Sequence, residues 1–249
     1  MCRHMAYLGP PADLASLLLA PPHSLVDQAR DARYQQSGTK NPDGFGAGWY
    51  ATRGEERAPL RYRTTRPIWD DDAFPTLAAR TTSGAVLAAV RLASPGAPIE
   101  VNGNAPFLAE PWLFSLNGIV DGHFEGIGDA LRRTVSERRA QGIEGVTDSE
   151  LLFALTLDAL DAGASPADAL ATTIAAVTAR TSGRLNLLLT DGRRVAASAW
   201  GNSLFACSAP GPSTWVASEP LDKDPNWVRI PDRSLVEVDT AGMWRVLPL

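Results

Sequence analysis

The sequence predicts an α+β protein in which antiparallel sheets are covered by helices. Three observations predict this class. Apolar runs of strand length occupy the first half and the last third of the chain, and helical stretches lie between them. Strands and helices do not alternate one for one, as a parallel sheet would require. No repeat, low-complexity tract or linker divides the 249 residues, so we expect one domain over residues 1–249.

Five strands are predicted in the first half, bounded by turn-forming residues. Gly9-Pro10-Pro11 predicts a turn after the first strand, and Asn117-Gly118 is a strong tight-turn dipeptide after the fifth. The glycines at 44, 46 and 48 fail the phosphate-loop fingerprint, because Trp49 occupies its third glycine position and no helix follows. The strands are predicted at Cys2–Leu8, Phe45–Tyr50, Arg61–Thr65, Ala85–Val90 and Trp112–Leu116, the last continuing at Ile119-Val120.

Helices are predicted from apolar periodicity and capping residues, and the remaining strands from short apolar runs. Thr147 and Glu150 form a capping-box pattern ahead of one helix. The helices are predicted at Asp13–Leu19, Ser24–Ala32, Asp72–Arg80, Ile127–Ala140, Ser149–Leu160 and Pro166–Arg180. The late strands are predicted at Leu185–Thr190, Arg194–Trp200, Leu204–Ser208, Thr214–Ala217, Leu235–Asp239 and Trp244–Leu247, with Asp191-Gly192 as a hairpin turn.

Composition and charge argue against several classes of partner. The formal charge is −5, with scattered Lys and Arg, so no nucleic-acid partner is expected. Neither a membrane-spanning run nor a signal segment is recognisable, which predicts a cytoplasmic protein without a membrane partner. Two cysteines, Cys2 and Cys207, and three histidines have no zinc-ligand spacing, so no metal is expected. A disulfide between the two cysteines has no further support.

Cys2 is the candidate nucleophile. Removal of Met1 would leave Cys2 with a free α-amine beside its thiol. An α-amine titrates at about 7.7–8.0 and a cysteine at about 8.5, so one residue can hold nucleophile and base together. A cysteine that lies near the start by chance is the plainer interpretation.

Other residues could supply what a cysteine needs to attack an amide. Asn117 and Gly118 can offer a side-chain amide and a backbone N–H to a developing oxyanion. Arg91 ends an apolar strand, and its planar guanidinium suits a carboxylate. The carboxylate of Asp148 can bind an ammonium group. The plainer alternatives are a hairpin turn, a surface arginine and a helix start.

Taken in order, these motifs resemble the class II glutamine amidotransferase domain of the N-terminal nucleophile (Ntn) hydrolases. The markers are Cys2, Asp43–Gly48, Arg91–Gly96, Asn104–Phe107, Asn117-Gly118 and Thr147–Glu150. The resemblance implies a four-layer αββα sandwich of two antiparallel sheets between helices.

The same resemblance implies a role for each site residue. Cys2 would be the nucleophile and its α-amine the base, while Asn117 and Gly118 would form the oxyanion hole. Arg91 would bind the glutamyl α-carboxylate and Asp148 the α-ammonium. No cofactor is implied.

Departures from the family pattern bear on the substrate. Leu92 and Pro95 stand where glutamine-using members usually have Trp and His, and Ala105 replaces a further His. No additional synthase domain is expected. The chain most resembles the free-standing γ-glutamyl hydrolases of ergothioneine biosynthesis, whose leaving amine carries a trimethylammonium group. Aromatic faces could receive that group; the candidates are Tyr34, Phe45, Trp49 and Trp112.

The expected activity is therefore hydrolysis of a small-molecule γ-glutamyl amide. Three alternatives stay open: a glutamine amidotransferase subunit that passes ammonia to a partner, a γ-glutamyl transferase, and an inactive binding protein. The sequence does not decide the oligomeric state, and a homo-oligomer is one alternative.

Overall fold

Two antiparallel sheets packed face to face form the centre of the protein. The computed structural model describes residues 2–36, 38–53, 56–209 and 213–249. The strands of the first half are β1 (Arg3–Asp13), β2 (Phe45–Arg53), β3 (Glu56–Thr64), β4 (Thr82–Val90), β5 (Phe107–Ala109) and β6 (Trp112–Val120). Those of the second half are β7 (Gly183–Thr190), β8 (Val195–Ala199), β9 (Phe205–Ala209), β10 (Ser213–Ala217), β11 (Val228–Arg229), β12 (Ser234–Val238) and β13 (Trp244–Pro248).

The strand order places the chain start at the middle of one sheet. The seven-stranded sheet has the order β11-β9-β10-β1-β4-β2-β3, and the six-stranded sheet has the order β13-β12-β8-β7-β6-β5. Each strand pair in the described part of the chain is antiparallel. In this order β1 lies between β10 and β4, so the residue before β1 lies at the end of a central strand and not at the edge of the sheet.

Helices cover the outer face of each sheet and complete the four layers. The first sheet is covered by α1 (Leu14–Leu18), α2 (Leu25–Arg30) and α3 (Phe74–Arg80). The second is covered by α4 (Ile127–Arg132), α6 (Asp148–Asp161) and α7 (Pro166–Thr178), and α5 (Glu137–Ala140) packs against α6. The predicted α+β sandwich is therefore confirmed.

Strands buried on both faces explain the continuous apolar runs in the sequence. In β4, Val86 and Val90 pack against the helices, whereas Ala85 and Leu87 pack against the second sheet. This alternation follows from successive side chains pointing to opposite faces of a strand. The same principle places Leu188 of β7 in the layer between the sheets.

Two predicted turns are wrong. Gly9-Pro10-Pro11 lies inside β1. The register with β4 shifts between Leu8 and Ala12, but the strand continues to Asp13. Asn117-Gly118 lies inside β6, where Asn117 pairs with Asn186 of β7. A Cβ at Gly118 would overlap the carbonyl oxygen of Arg184, so this glycine marks a close backbone approach and not a turn.

Smaller differences concern the boundaries of elements. β3 begins earlier than predicted and includes Pro59, which an edge strand tolerates because one side of its backbone is unpaired. β5 and β11 lie in segments where no separate strand was predicted. The helix predicted over Ile127–Ala140 divides into α4 and α5, and the second begins where the Ser136 hydroxyl accepts from the N–H of Arg139.

The layer arrangement predicts that replacing two leucines by alanine will cost very different amounts of stability. Leu152 of α6 is fully buried, whereas Leu60 of β3 is 44% exposed. Leu152→Ala should lower the free energy of unfolding by about 2–5 kcal/mol, because a cavity is added to the lost burial. The matched substitution Leu60→Ala should cost less than about 1 kcal/mol. Urea denaturation measures both, and equal losses would contradict the layer assignment.

Candidate active site

The register of the first sheet brings Arg91 beside Cys2. Arg3 of β1 pairs with Val90 of β4, and the two strands run in opposite directions. Cys2 precedes Arg3 and Arg91 follows Val90, so both leave the sheet at the same end. The apolar run that ends at Arg91 therefore delivers its cation next to the candidate nucleophile.

Two small cavities adjoin Cys2, and four of the predicted residues line one of them. Cys2, Arg91, Gly118 and Asp148 line the first cavity, of about 20 Å³. The second, also about 20 Å³, is lined by Cys2 and Arg91 with Asn104 among others. Each has room for about one water molecule. The structure thus brings these four residues together, whereas Asn117 lies outside both linings.

The two cysteines differ in their surroundings. Cys2 is partly buried, and its thiol lies 3.9 Å from the carbonyl oxygen of Leu92. Cys207 is buried in β9, where burial, followed by Asp224 and Asp222, raises its pKa to about 11. Both are free thiols. At neutral pH Cys207 is therefore protonated and a poor nucleophile.

Arg91 is a buried cation that contacts neutral acceptors. Its Nη1 donates to the Oδ1 of Asn104 at 3.4 Å, and its Nη2 donates to the carbonyl of Pro98 at 3.1 Å. Within the described ranges no carboxylate lies at ion-pair distance from it. A Cβ at Gly103 would lie 3.0 Å from Nη2, so glycine leaves room for this guanidinium. Such a group suits an incoming carboxylate.

Asp148 joins the start of α6 to the end of β6. Its Oδ2 accepts from the N–H of Val120 at 3.0 Å, and its Oδ1 accepts from the N–H of Ser149 at 2.7 Å. Thr147 is the N-cap, as predicted, and accepts from the N–H of Glu150. The Glu150 carboxylate instead binds backbone N–H groups at residues 144 and 145. Asp148 is thus fixed in the cavity wall, and its carboxylate has no charged partner in the described part of the chain.

Asn117 is buried behind the cavity and is held by two side chains. Its Oδ1 accepts from the Nη2 of Arg3 at 3.4 Å, and its Nδ2 donates to the Oγ of Ser218 at 3.1 Å. The backbone carbonyl of Asn117 accepts from the Nδ2 of Asn202 at 2.9 Å. The amide is therefore oriented by its neighbours, and one Nδ2 hydrogen remains beyond the bond to Ser218.

Sequence reasoning missed a buried ionic cluster next to Cys2. Arg3 and Glu219 are both fully buried and form an ion pair of 3.1 Å. Glu219 also accepts from His23 and from the backbone N–H groups of Arg33 and Tyr34. Burial alone would raise the pKa of Glu219, but these hydrogen bonds hold it below its ordinary value. The only sequence signal was a charged residue at the start of an apolar strand.

His4 is a neutral core residue. Its Nδ1 lies 3.2 Å from the Oγ of Ser115, and its backbone N–H donates to Ser218. Complete burial, followed by the charge of Arg3, lowers the pKa of His4 to about 3. An imidazole with this pKa is uncharged at neutral pH.

The four aromatic candidates lie in different surroundings. Phe45 and Trp49 are core residues, although Phe45 also lines the second cavity beside Cys2. Trp112 packs against the core between the second sheet and its helices, and Tyr34 is 43% exposed. Phe124, which the sequence did not single out, is 44% exposed and lines the cavity that contains Arg91 and Asp148.

Within the described residues, no helix combines the length and the apolar character needed to cross a membrane. No group of three or more His, Cys, Asp or Glu side chains in the same ranges could hold a metal ion.

Comparisons with known proteins agree on one family. The model of the class-II glutamine amidotransferases matches residues 27–212. The chain is 40% identical over 242 residues to the γ-glutamyl-hercynylcysteine sulfoxide hydrolase of Mycolicibacterium smegmatis, covering 97% of each protein. It is 37% identical to the protein of the same name from Mycobacterium tuberculosis, covering 98% of this chain and 95% of that one.

A solved structure shares the fold along the whole chain. The glutamine aminotransferase class-II domain protein of Silicibacter pomeroyi superimposes with a TM-score of 0.67 at 25% identity, covering 99% of each chain.

The buried imidazole predicts a pH-dependent stability. The pKa of His4 is about 3 in the folded protein and about 6.5 in an unfolded chain. Between these values the unfolded state binds more protons, so stability falls as the pH falls from about 6.5, by up to about 1.4 kcal/mol per pH unit. Above about pH 6.5 this contribution is constant. His4→Gln should flatten the decline in unfolding free energy measured in urea between pH 7.5 and pH 5.

The matched control is His123→Gln, which removes a histidine that lies partly exposed in the 3₁₀ helix His123–Glu125. It separates the effect of the buried His4 imidazole from the effect of losing a histidine as such. Parallel pH curves for the wild type and His4→Gln would contradict the role assigned to His4.

Proposed function

Because this chain belongs to the class II glutamine amidotransferase family, we propose that it is a γ-glutamyl amide hydrolase that releases glutamate from γ-glutamyl-hercynylcysteine sulfoxide. This is a step of ergothioneine biosynthesis. Two mycobacterial relatives named for this hydrolysis match nearly the full length at 37–40% identity. The observation that carries the proposal is that Cys2, Arg91 and Asp148 line the same small cavity, which a bound glutamyl group would have to widen.

The charges around the cavity fit one end of the proposed substrate. A γ-glutamyl group carries a carboxylate and an ammonium on the same carbon, so its binding site needs one cation and one anion. We assign the carboxylate to Arg91, which otherwise contacts neutral oxygens. We assign the ammonium to Asp148, whose carboxylate is anchored by backbone N–H groups. Their opposite charges would orient the γ-amide carbon toward Cys2.

The proposed reaction is acyl transfer followed by hydrolysis. The α-amine of Cys2 takes the thiol proton, and the resulting thiolate attacks the γ-amide carbon and forms a tetrahedral intermediate. The Nδ2 of Asn117 and the N–H of Gly118 stabilise its oxyanion. The protonated α-amine of Cys2 then gives its proton to the departing amine, and a thioester remains.

The second half of the reaction uses the same amine as base. It takes a proton from water, which attacks the thioester, releases glutamate and restores the thiol. The amine is free only after removal of Met1, a residue that lies outside the described ranges. We include that removal in the proposal.

Three positions favour a larger substrate than free glutamine. Leu92, Pro95 and Ala105 replace residues that glutamine-using members usually carry. Of these, Leu92 lines the first cavity and Ala105 the second, so the substitutions lie at the site itself. The ammonia-supplying subunit and the γ-glutamyl transferase remain the alternatives that the assays below distinguish.

Two broader statements belong to the same proposal. We take residues 2–249 as one catalytic domain, since both sheets contribute to the layer between them. We place the protein in the cytoplasm, where thiols stay reduced and a cysteine nucleophile is available.

Cys2→Ala should abolish glutamate release from γ-glutamyl-hercynylcysteine sulfoxide, because no thioester can form. Enzymatic quantification of free glutamate measures the rate, and intact mass spectrometry of the active protein should show Met1 absent. Cys207→Ala is the matched control and should retain activity, because that thiol is buried away from the cavity. Glutamate release by Cys2→Ala would refute the mechanism. Faster turnover of free glutamine, or amines outcompeting water for the thioester, would favour the alternatives.

Arg91→Gln should weaken binding of the glutamyl α-carboxylate selectively. Wild-type enzyme should prefer a γ-glutamyl amide over the 4-aminobutyryl amide that lacks this carboxylate by about 10²-fold or more in kcat/KM, as for a charged hydrogen-bonded pair. In Arg91→Gln the two substrates should become nearly equivalent. If the variant keeps the wild-type preference, Arg91 does not bind the carboxylate.

A further inference from the structure

Arg3 contacts three separate parts of the candidate site at once. Its Nε donates to the backbone carbonyl of Cys2 at 2.6 Å, and its Nη2 donates to the Oδ1 of Asn117 at 3.4 Å. Its Nη1 donates to Glu219 at 3.1 Å. These acceptors lie at the chain start, in the middle of β6 and after β10, so one guanidinium connects the two sheets directly behind the cavity.

We propose that Arg3 is the positioning residue of this site, which holds the Cys2 backbone and fixes the Asn117 amide with its Nδ2 available to the oxyanion. The inference rests on the proposed function and adds a residue to it. Arg3 touches neither substrate nor reacting atoms; it acts through Cys2 and Asn117.

The amide of Asn117 needs such a partner because its two ends are sterically alike. Rotation by about 180° exchanges an acceptor oxygen for an NH₂ group of nearly the same size. In the observed orientation, Oδ1 faces the guanidinium of Arg3 and Nδ2 faces the Oγ of Ser218. The rotated amide would place NH₂ hydrogens against the donors of Arg3, leaving buried donors unpaired. Arg3 therefore selects the orientation that an oxyanion hole requires.

A rigid, planar donor is required to serve three acceptors. Arginine presents five N–H groups in a fixed fork, whereas a lysine ammonium is a compact point charge on a flexible stem. The guanidinium of Arg3 uses Nε, Nη1 and Nη2 for three different partners. Lysine could keep the charge opposite Glu219 but could not hold Cys2 and Asn117 in the same geometry.

Glu219 fixes Arg3 for this task. Its carboxylate is fully buried and accepts from Arg3, from the Nε2 of His23, and from the N–H groups of Arg33 and Tyr34. These bonds come from three chain segments, so the carboxylate has little freedom to follow Arg3 if the arginine moves. The Glu219 carboxylate therefore fixes the orientation of the Arg3 guanidinium.

A double-mutant cycle tests whether Arg3 acts through Asn117. Arg3→Lys should lower kcat for γ-glutamyl-hercynylcysteine sulfoxide by about 10- to 100-fold, with KM within about threefold, because oxyanion donors act in the transition state. In an Asn117→Ala background the same substitution should lower kcat by a smaller factor, because only the contact with the Cys2 backbone is then left to lose. An equal loss in both backgrounds would overturn the proposal.

The matched control is Arg139→Lys, the same substitution in α5, where Arg139 pairs with Asp161 on the surface. Its kcat should stay within about twofold of the wild type. If Arg3→Lys does not fold, Glu219→Gln replaces it in the cycle, because it keeps an oxygen acceptor for Arg3 while removing the charge that fixes it. The same loss of kcat and the same non-additivity are expected, and additivity again overturns the proposal.

A spectroscopic measurement separates this proposal from the proposed function. The side-chain NH₂ signals of Asn117 in a ¹H–¹⁵N correlation spectrum, assigned by their loss in Asn117→Ala, should shift in Arg3→Lys and stay in place in Arg139→Lys. Unmoved signals in Arg3→Lys overturn the positioning role, whatever the activity. If the signals move but wild-type protein releases no glutamate, the contact stands and the proposed function fails.

Discussion

The buried ion pair between Arg3 and Glu219 is the interaction on which the surroundings of Cys2 depend. Removing two charges from water costs several kcal/mol per ion, so such a pair persists only when further hydrogen bonds satisfy both groups. Here each partner has them: Arg3 also binds Cys2 and Asn117, and Glu219 is bound by three more donors. We interpret the ion pair as fixing the positions of the groups around Cys2 more than as adding to the stability of the fold.

The fold converts distant sequence positions into one small site. Because β1 is central in its sheet, the residue before it emerges between neighbouring strands. Antiparallel pairing with β4 brings Arg91 to the same end, and the second sheet contributes Gly118 from β6. Helix α6 begins at this end and adds Asp148. The end of one strand and the start of one helix thus place a cation and an anion at the same cavity, as the proposed γ-glutamyl substrate would require, and the second sheet adds the backbone of Gly118.

Features that depend on a few neighbouring residues could be predicted from the sequence. The apolar run ending at Arg91 and the capping pattern at Thr147 were interpreted correctly, because burial and capping act within a few residues. The turn at Asn117-Gly118 was wrong, since pairing with β7 along the whole of β6 outweighs a dipeptide preference. Glu219 could not be predicted: it meets Arg3 across 216 positions of sequence, and no local pattern records that contact. The site roles themselves came from the family resemblance.

The tight backbone approach at Gly118 limits how this catalyst could be altered by selection. Any side chain there would collide with the carbonyl of Arg184 in the neighbouring strand. A substitution at Gly118 would therefore push the two strands apart, whereas position 117 already carries a side chain. If the two donors act together as we propose, mutation can replace the side-chain donor of Asn117, whereas the fold fixes the position of the Gly118 N–H.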